Sequence, residues 1–95
     1  MAKQRPPLTA RPTAKFKRDL KRQVKRGLDP TNLHAVITVL HARRPLPESL
    51  RDHGLAGEWK GWRVCHVEPD WVLVYRTTET ELILGRTGSH ADLFE

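Results

Sequence analysis

Cysteine and long apolar runs are the scarcest features of this 95-residue sequence. The single cysteine, Cys65, cannot form an internal disulfide or a cysteine metal cage, which fits a reducing compartment. No apolar run is long enough to predict a membrane span, and the N-terminus carries no apolar segment typical of a secretory signal. These absences predict a cytoplasmic protein without a membrane partner, folded as one domain over residues 1–95.

Acidic residues are scarce in the first half of the chain. Residues 1–45 hold 12 Lys and Arg but only Asp19 and Asp29, a balance of +10, whereas residues 46–95 have a balance of −4. Such a basic half attracts phosphate backbones or an acidic protein. The alternative is an ordinary solvated basic helix surface.

Two helices are predicted in this basic half. Phe16, Leu20 and Val24 follow an i, i+4, i+8 spacing between a capping Thr13 and Gly27. A second helix starts at Asp29-Pro30, ends near Arg43, and has an apolar face made of Leu33, Val36, Ile37 and Leu40. The short link between the two predicts an αα-hairpin. Residues 1–7, with two prolines, are predicted to form a flexible tail.

The second half predicts a small sheet. We expect a short edge strand at residues 8–11, a loop over 44–57, a short strand at 58–60, and three further strands at 62–67, 71–75 and 81–86. Ser89 is expected to cap a last helical turn through Phe94. The predicted fold class is therefore α+β: two N-terminal helices packed on a small twisted antiparallel sheet, followed by a short C-terminal helix.

Titratable side chains fall at the ends of these strands. His66 and Asp70 flank one turn, and Arg86 and His90 flank another, while His53 lies in the loop before the sheet. Because the strands pair as hairpins, these groups are expected to share one sheet edge. Taken singly, each has a simpler interpretation: a core histidine, a turn aspartate, a surface ion pair or a helix end.

Imidazoles beside a carboxylate and a guanidinium suit RNA cleavage through the neighbouring 2′-hydroxyl. Imidazole serves as acid or base near neutral pH, and a cation stabilises the charge that develops on the phosphate. This chemistry requires no metal or other cofactor, although a metal-dependent hydrolase stays open as an alternative. His34 and His41, two turns apart on the second helix, are interpreted as surface histidines.

Aromatic residues and the cysteine have mainly structural interpretations. The tryptophans and Phe94 are expected in the core, although Trp59 or Trp62 could present a ring to a base. Cys65, on the strand face opposite His66, is interpreted as a small buried apolar residue.

The combined pattern DHxLxGxWxGxRxxHxxPDW, from Asp52 to Trp71, and RTGxHxxLF, from Arg86 to Phe94, resembles the YafQ toxins of bacterial type II toxin–antitoxin systems, within the RelE-like superfamily. The resemblance implies a ribosome-dependent mRNA endoribonuclease, inhibited by a cognate antitoxin with which it forms a hetero-oligomer.

The resemblance also implies roles for individual residues. The implied catalytic set is His53, His66, Asp70 and His90, with His90 as general acid and Asp70, alone or with His66, as general base. Arg86 would meet the phosphate and Phe94 would help place the substrate. Ribosomal RNA or the antitoxin would bind the basic residues of the first helix: Lys17, Arg18, Lys21, Arg22, Lys25 and Arg26.

One position departs from the family pattern. Members of the family often have an acidic residue two positions before the histidine of HxxPDW, where this chain has Val64. The departure bears on rate or substrate preference rather than on the reaction class. A different class within the superfamily is the alternative: a ParE-like toxin that binds and inhibits DNA gyrase, a branch not expected to assemble the histidine and aspartate set.

Overall fold

A five-stranded sheet forms the centre of the computed structural model, which describes residues 5–95. The strand order is β1-β5-β4-β3-β2. In chain order the elements are β1 (Thr9–Pro12), α1 (Ala14–Lys25), α2 (Thr31–His41), β2 (His53–Gly54), β3 (Arg63–Glu68), β4 (Trp71–Thr77), β5 (Glu81–Gly88) and α3 (His90–Phe94). All neighbouring strands are antiparallel except β1, which pairs in parallel with β5. The predicted α+β class is confirmed, with one parallel edge.

The two N-terminal helices form as the capping signals indicate. The Thr13 side chain accepts a hydrogen bond from the backbone N–H of Phe16 at the start of α1. The Asp29 carboxylate accepts one from the N–H of Thr31 at the start of α2. Gly27, with φ of +85°, supplies the left-handed turn between them.

The buried face of α1 differs from the predicted stripe. Its buried residues are Phe16, Asp19 and Gln23, whereas Val24 is 50% exposed. The stripe is displaced because Asp19 and Gln23 find polar partners inside the protein, so an apolar pattern alone does not identify this face.

The sheet carries a different core on each face. Between the sheet and the two long helices lies the helix-side core of Leu8, Phe16, Leu33, Val36, Leu40, Cys65, Val67, Trp71, Leu73, Tyr75, Leu82 and Leu84. On the opposite face lies the α3-side core, made of three buried valines with half-buried neighbours: Val64, Val72 and Val74 with Leu55, Trp59, Trp62, Leu93 and Phe94. The predicted alternation of β3 and the two-sided burial of β4 are both confirmed.

A bulge in β5 shapes the α3-side face. Val74 pairs with Arg86 and Tyr75 with Leu84, so Gly85 is the extra residue. The ring of Trp62 lies against this glycine, and a β-carbon there would come within 2.5 Å of Trp62 Cζ3. Glycine at this position therefore lets an indole approach the sheet backbone closely.

Three predicted segments differ in the structure. The expected loop over residues 44–57 contains strand β2 and a 3₁₀ turn at Glu48–Leu50, because His53–Gly54 pairs with β3. The expected strand at residues 58–60 is wrong: a 3₁₀ turn spans Gly57–Trp59, because Gly57 and Gly61 have φ of +66° and +94° and bend the chain at both ends. Of the predicted flexible tail, residues 1–4 lie outside the described residues. Residues 5–7 contact the body of the protein, where Pro6 accepts a hydrogen bond from Arg43 and Arg5 donates one to the Glu79 carbonyl.

Candidate active site

Four aromatic side chains form a row on the α3-side face. The ring centroids of His66 and His90 are 5.3 Å apart, those of His90 and Phe94 are 5.8 Å apart, and those of Phe94 and Trp59 are 5.6 Å apart. His66 comes from β3, His90 and Phe94 from α3, and Trp59 from the Gly57–Trp59 turn. Three separate segments therefore converge where the sequence predicts a site.

A capping box places His90 at the first position of α3. Ser89 accepts a hydrogen bond from the N–H of Asp92, and the Asp92 carboxylate accepts one from the N–H of Ser89. The same carboxylate accepts a bond of 2.7 Å from Arg26 Nη1 on α1. The hydrogen bond from Arg26 is the main cause that holds the pKa of Asp92 well below its usual range. Asp92 thus fixes the orientation of the short helix that carries His90.

His66 contributes a polar atom that the protein does not satisfy. Its ring is half-buried, and its Nδ1 is buried without a hydrogen-bond partner among residues 5–95. Leaving a buried polar atom unpaired costs about 1–3 kcal/mol. A position that carries this cost is a candidate for function rather than for stability.

His53 lies on the same face as His66 but in the neighbouring strand. It is opposite Val64 in the β2–β3 pair, one diagonal position from His66. Its Nδ1 is 2.6 Å from the carbonyl oxygen of Arg51. Because a carbonyl only accepts, Nδ1 is the donor in this contact.

Asp70 is exposed in the turn between β3 and β4, near the end of α1. The pKa of Arg26 is raised mainly by its hydrogen bond to Asp92, and the charge of Asp70 adds to the rise. Asp70 makes no side-chain hydrogen bond with another residue in the described part of the chain. Its carboxylate oxygens are therefore open to a ligand, near Arg26, the residue that pairs with Asp92 of α3.

Arg86 has a partner that the sequence does not indicate. Its Nε and Nη2 donate to the two oxygens of Asp19 at 2.6 and 3.2 Å, and Asp19 also accepts from the N–H of Thr87. The hydrogen bonding between Arg86 and Asp19 is the main cause of the raised pKa of Arg86. The ion-pair interpretation of Arg86 is therefore correct, and only part of its guanidinium is available to a phosphate.

The basic residues of α1 separate into two groups. Arg22 and Arg26 lie within ion-pair distance of Asp92, at 3.7 and 2.7 Å. The remaining residues are exposed and form no ion pair within residues 5–95: Lys17, Arg18, Lys21 and Lys25. Two of the six predicted binding residues thus hold α3 in place.

Other predicted features fall where the sequence analysis puts them. Cys65 is fully buried in the helix-side core, and burial raises the pKa of its thiol to about 12, which is unsuited to a nucleophile. His34 and His41 are exposed on α2.

Groups of three or more histidine, cysteine, aspartate or glutamate side chains able to hold a metal ion are absent from residues 5–95. In the same range, no helix combines the length and apolarity needed to cross a membrane.

Residues 8–95 match a protein family described as a bacterial toxin of type II toxin–antitoxin systems, YafQ. The mRNA interferase toxin YafQ of Escherichia coli K12 is 43% identical over 83 residues, which is 86% of this chain and 90% of that protein.

Solved structures show the same similarity. The crystal structure of YafQ from E. coli BL21(DE3) superposes with a TM-score of 0.88 at 39% identity, covering 93% of this chain and 99% of that one. YafQ in the E. coli DinJ-YafQ toxin-antitoxin complex gives a TM-score of 0.86 at 40% identity, covering 93% and 98%.

Proposed function

Because this chain belongs to the YafQ family of type II toxin–antitoxin toxins, we propose that it is an endoribonuclease that cleaves mRNA during translation. The observation that carries the proposal is the pair of imidazoles, His66 and His90, with ring centroids 5.3 Å apart beside Phe94. Both histidines and the phenylalanine occupy the motif positions to which the family resemblance gives a role. The activity named for the E. coli relative agrees with this chemistry.

Cleavage proceeds by transfer within the RNA. A base removes the proton from a 2′-hydroxyl, the 2′-oxygen bonds to the adjacent phosphorus, and the bond from phosphorus to the 5′-oxygen breaks. His90, exposed at the start of α3, donates the proton that the leaving 5′-oxygen takes up. Asp70, with or without His66, receives the first proton.

Phe94 and His53 complete the site. Phe94 packs between His90 and Trp59, where its ring limits the positions that a nucleotide takes beside the imidazole. His53, held by the contact of its Nδ1 with the Arg51 carbonyl, orients or stabilises the reacting groups from β2. Arg86 keeps one guanidinium nitrogen for the phosphate while the other two donate to Asp19.

The exposed basic residues of α1 supply attraction for a polyanion. Lys17, Arg18, Lys21 and Lys25 extend along one helix, as expected for contact with ribosomal RNA or with the acidic tail of an antitoxin. The E. coli relative forms a toxin-antitoxin complex with DinJ. We expect this chain likewise to be neutralised by a cognate antitoxin, and to act on ribosomes in the cytoplasm.

Mapping of transcript 5′ ends after induction tests the proposal. Wild type should produce new ends inside translated messages, and His90→Ala should reduce their yield by about 10²–10⁴-fold, the usual contribution of a general acid or base. His34→Ala, which removes an exposed histidine from α2, is the matched control and should cut like wild type. Circular dichroism verifies that each variant is folded.

Three outcomes would contradict the proposal. A folded His90→Ala variant that cuts fully would remove its catalytic basis. Intact transcripts together with a DNA-damage response would favour the gyrase-binding alternative. Loss of cleavage in EDTA, restored by a divalent ion, would replace the metal-free mechanism with a metal-dependent one.

A further inference from the structure

A cleft of about 420 Å³ opens on the α3-side face, next to the row of rings. Its walls include two indoles, one carboxylate, two cations and the bulge glycine: Trp59, Trp62, Glu58, Lys15, Arg86 and Gly85. None of the proposed acid and base groups lines it. The cleft therefore has no part in the proton transfers described above.

The cleft is continuous with the candidate active site. Trp59 is in ring contact with Phe94, and Phe94 is in contact with His90. Leu93, the neighbour of Phe94 in α3, lines the cleft itself. A polymer bound across the imidazoles would reach the cleft within one to two nucleotide steps, because only the Phe94 ring separates His90 from Trp59 and successive phosphates of an extended strand are roughly 6–7 Å apart, about twice the axial spacing within a duplex strand.

The cleft depends on the bulge in β5. Because Gly85 has no side chain, the Trp62 ring lies directly over the sheet backbone, and the space beside it stays open. Arg76 is 5.3 Å from the centre of the same ring and holds it from the solvent side. A β-carbon at position 85 would come within 2.5 Å of Trp62 Cζ3 and would displace the indole from this wall of the cleft.

The lining has the chemistry of a nucleotide site. Indole rings stack on bases of any sequence, with each such contact contributing about 1–3 kcal/mol. Lys15 and Arg86 supply positive charge for a phosphate. Glu58 is exposed and forms no ion pair within residues 5–95, so its oxygens are free to accept hydrogen bonds from a base.

A second cleft of about 290 Å³ extends this path along α1. It shares Lys15 and Arg86 with the first and adds Arg18, Arg22 and Asp19. Lys15 and Arg86 line both clefts. A positively charged groove therefore begins at the side of the first cleft where the phosphate of a bound nucleotide would lie. The two clefts thus form a continuous path for an RNA strand, from the imidazoles past the indoles to the basic side of α1.

We propose that the cleft between Trp59 and Trp62 is a subsite for a nucleotide of the RNA substrate next to the cleaved bond, selective for a base with an exocyclic amino group. The proposal rests on the proposed ribonuclease function. Adenine, guanine and cytosine offer amino hydrogens to the Glu58 carboxylate. Uracil has no amino group, and the two carbonyl oxygens that flank its single ring N–H weaken its contact with a carboxylate. Lys15 and Arg86 bind the phosphate of the same nucleotide.

Titration of the purified protein with single nucleotides tests the subsite. Binding of AMP, GMP, CMP and UMP is followed by tryptophan fluorescence and by the indole N–H signals in NMR spectra. Among AMP, GMP and CMP, the nucleotide that wild type binds most tightly should have an affinity at least about tenfold higher than that of UMP. This ratio is within the range that one well-formed base contact provides. The indole signals of Trp59 and Trp62 should shift, and that of the buried Trp71 should not.

Two substitutions examine the polar walls. Glu58→Gln keeps the shape of the side chain and adds an amide donor, so it should reduce the preference against UMP. Lys15→Ala should weaken the binding of all four nucleotides by a similar factor, while Arg44→Ala, which removes an exposed cation beyond the end of α2 and outside the cleft, serves as its matched control. Equal affinities for wild type, Glu58→Gln and Lys15→Ala would overturn the subsite.

The subsite and the proposed function fail in different ways. Nucleotide binding by His90→Ala at wild-type affinity, with cleavage lost, supports both. Nucleotide selectivity in a protein that never cuts RNA would support the subsite and contradict the proposed ribonuclease function. Efficient cleavage of mRNA, with no change in base preference at the cut sites on Glu58→Gln, would keep the ribonuclease and remove the subsite.

Discussion

The two faces of the sheet differ in how completely they are covered. The helix-side core contains twelve buried apolar residues under α1 and α2. The α3-side core contains three buried valines, and its large side chains, such as Trp59, Trp62 and Phe94, are only half-buried. The first face supplies most of the hydrophobic stabilisation, which scales with the apolar area removed from water.

The thinly covered face is the one that holds the titratable groups. His66 points to it from β3, His53 lies on it in β2, and His90 reaches it from the five-residue helix α3. A polar side chain that is to meet a substrate needs access to solvent, which a closed core would deny. The helix-side face therefore supplies most of the stability, and the α3-side face is the one on which we propose that RNA binds and reacts.

The largest expected effect is on the covered face. Leu33→Ala removes a fully buried side chain of α2 and should lower the free energy of unfolding by about 2–5 kcal/mol. Val24→Ala on α1 is the control, because Val24 is 50% exposed and should change stability by less than about 0.5 kcal/mol. Urea titration measures both, and similar losses for the two variants would contradict the division between the faces.

A smaller loss of stability is expected where Asp92 of α3 forms its ion pair with Arg26, at the end of α1. Asp92→Asn weakens the capping box of α3 and the ion pair with Arg26, so it should cost about 1 kcal/mol at pH 7. It should also reduce cleavage, because α3 carries His90 and Phe94. An Asp92→Asn protein with unchanged stability and cleavage would show that α3 is held by its apolar contacts alone.

The same carboxylate predicts a pH dependence. The folded pKa of Asp92 lies below its unfolded value, so its contribution is fully present above about pH 4 and is lost as the pH falls below that value toward the folded pKa. The stability difference between wild type and Asp92→Asn should therefore be constant from pH 5 to 7 and shrink below pH 4. A difference that grows on acidification would have the wrong sign.

The smallest expected effect is the alkylation of Cys65, which tests whether the helix-side core becomes accessible in the folded protein. Burial raises the pKa of Cys65 to about 12, so the folded protein should react with iodoacetamide at pH 8 only through unfolding. Alkylation followed by mass spectrometry should show a rate that rises with urea in parallel with the unfolded fraction. Rapid reaction without denaturant would show that the helices leave the sheet in the native state.

Local patterns in the sequence predicted the strands whose side chains follow a simple rule, either alternating between two faces or being apolar on both. The alternation of Val64, Cys65 and Val67 gave the two sides of β3, and the apolar run from Trp71 to Tyr75 indicated a strand covered on both sides. His66 and His90 were expected to share one sheet edge because the turns before them are short, and their ring centroids lie 5.3 Å apart.

Contacts between distant residues could not be predicted in this way. Asp19 pairs with Arg86 across 67 positions, and Arg26 pairs with Asp92 across 66. Periodicity carries no information on such pairs. The predicted apolar face of α1 therefore differs from the buried one, and the contacts of Arg22 and Arg26 with Asp92 could not be foreseen. The Ser89-x-x-Asp92 spacing is a local signal that could have identified the capping box. The parallel pairing of β1 with β5 likewise depends on tertiary packing.

The length of α3 has a consequence for the order of folding. Five residues are too few for a helix to persist alone in water, so α3 depends on its cap and on Arg26, which belongs to a distant part of the chain. Contacts between residues so far apart in sequence form after local structure. The row of rings is therefore expected to be completed only once most of the fold exists, so an incompletely folded chain carries its histidines without yet being a nuclease.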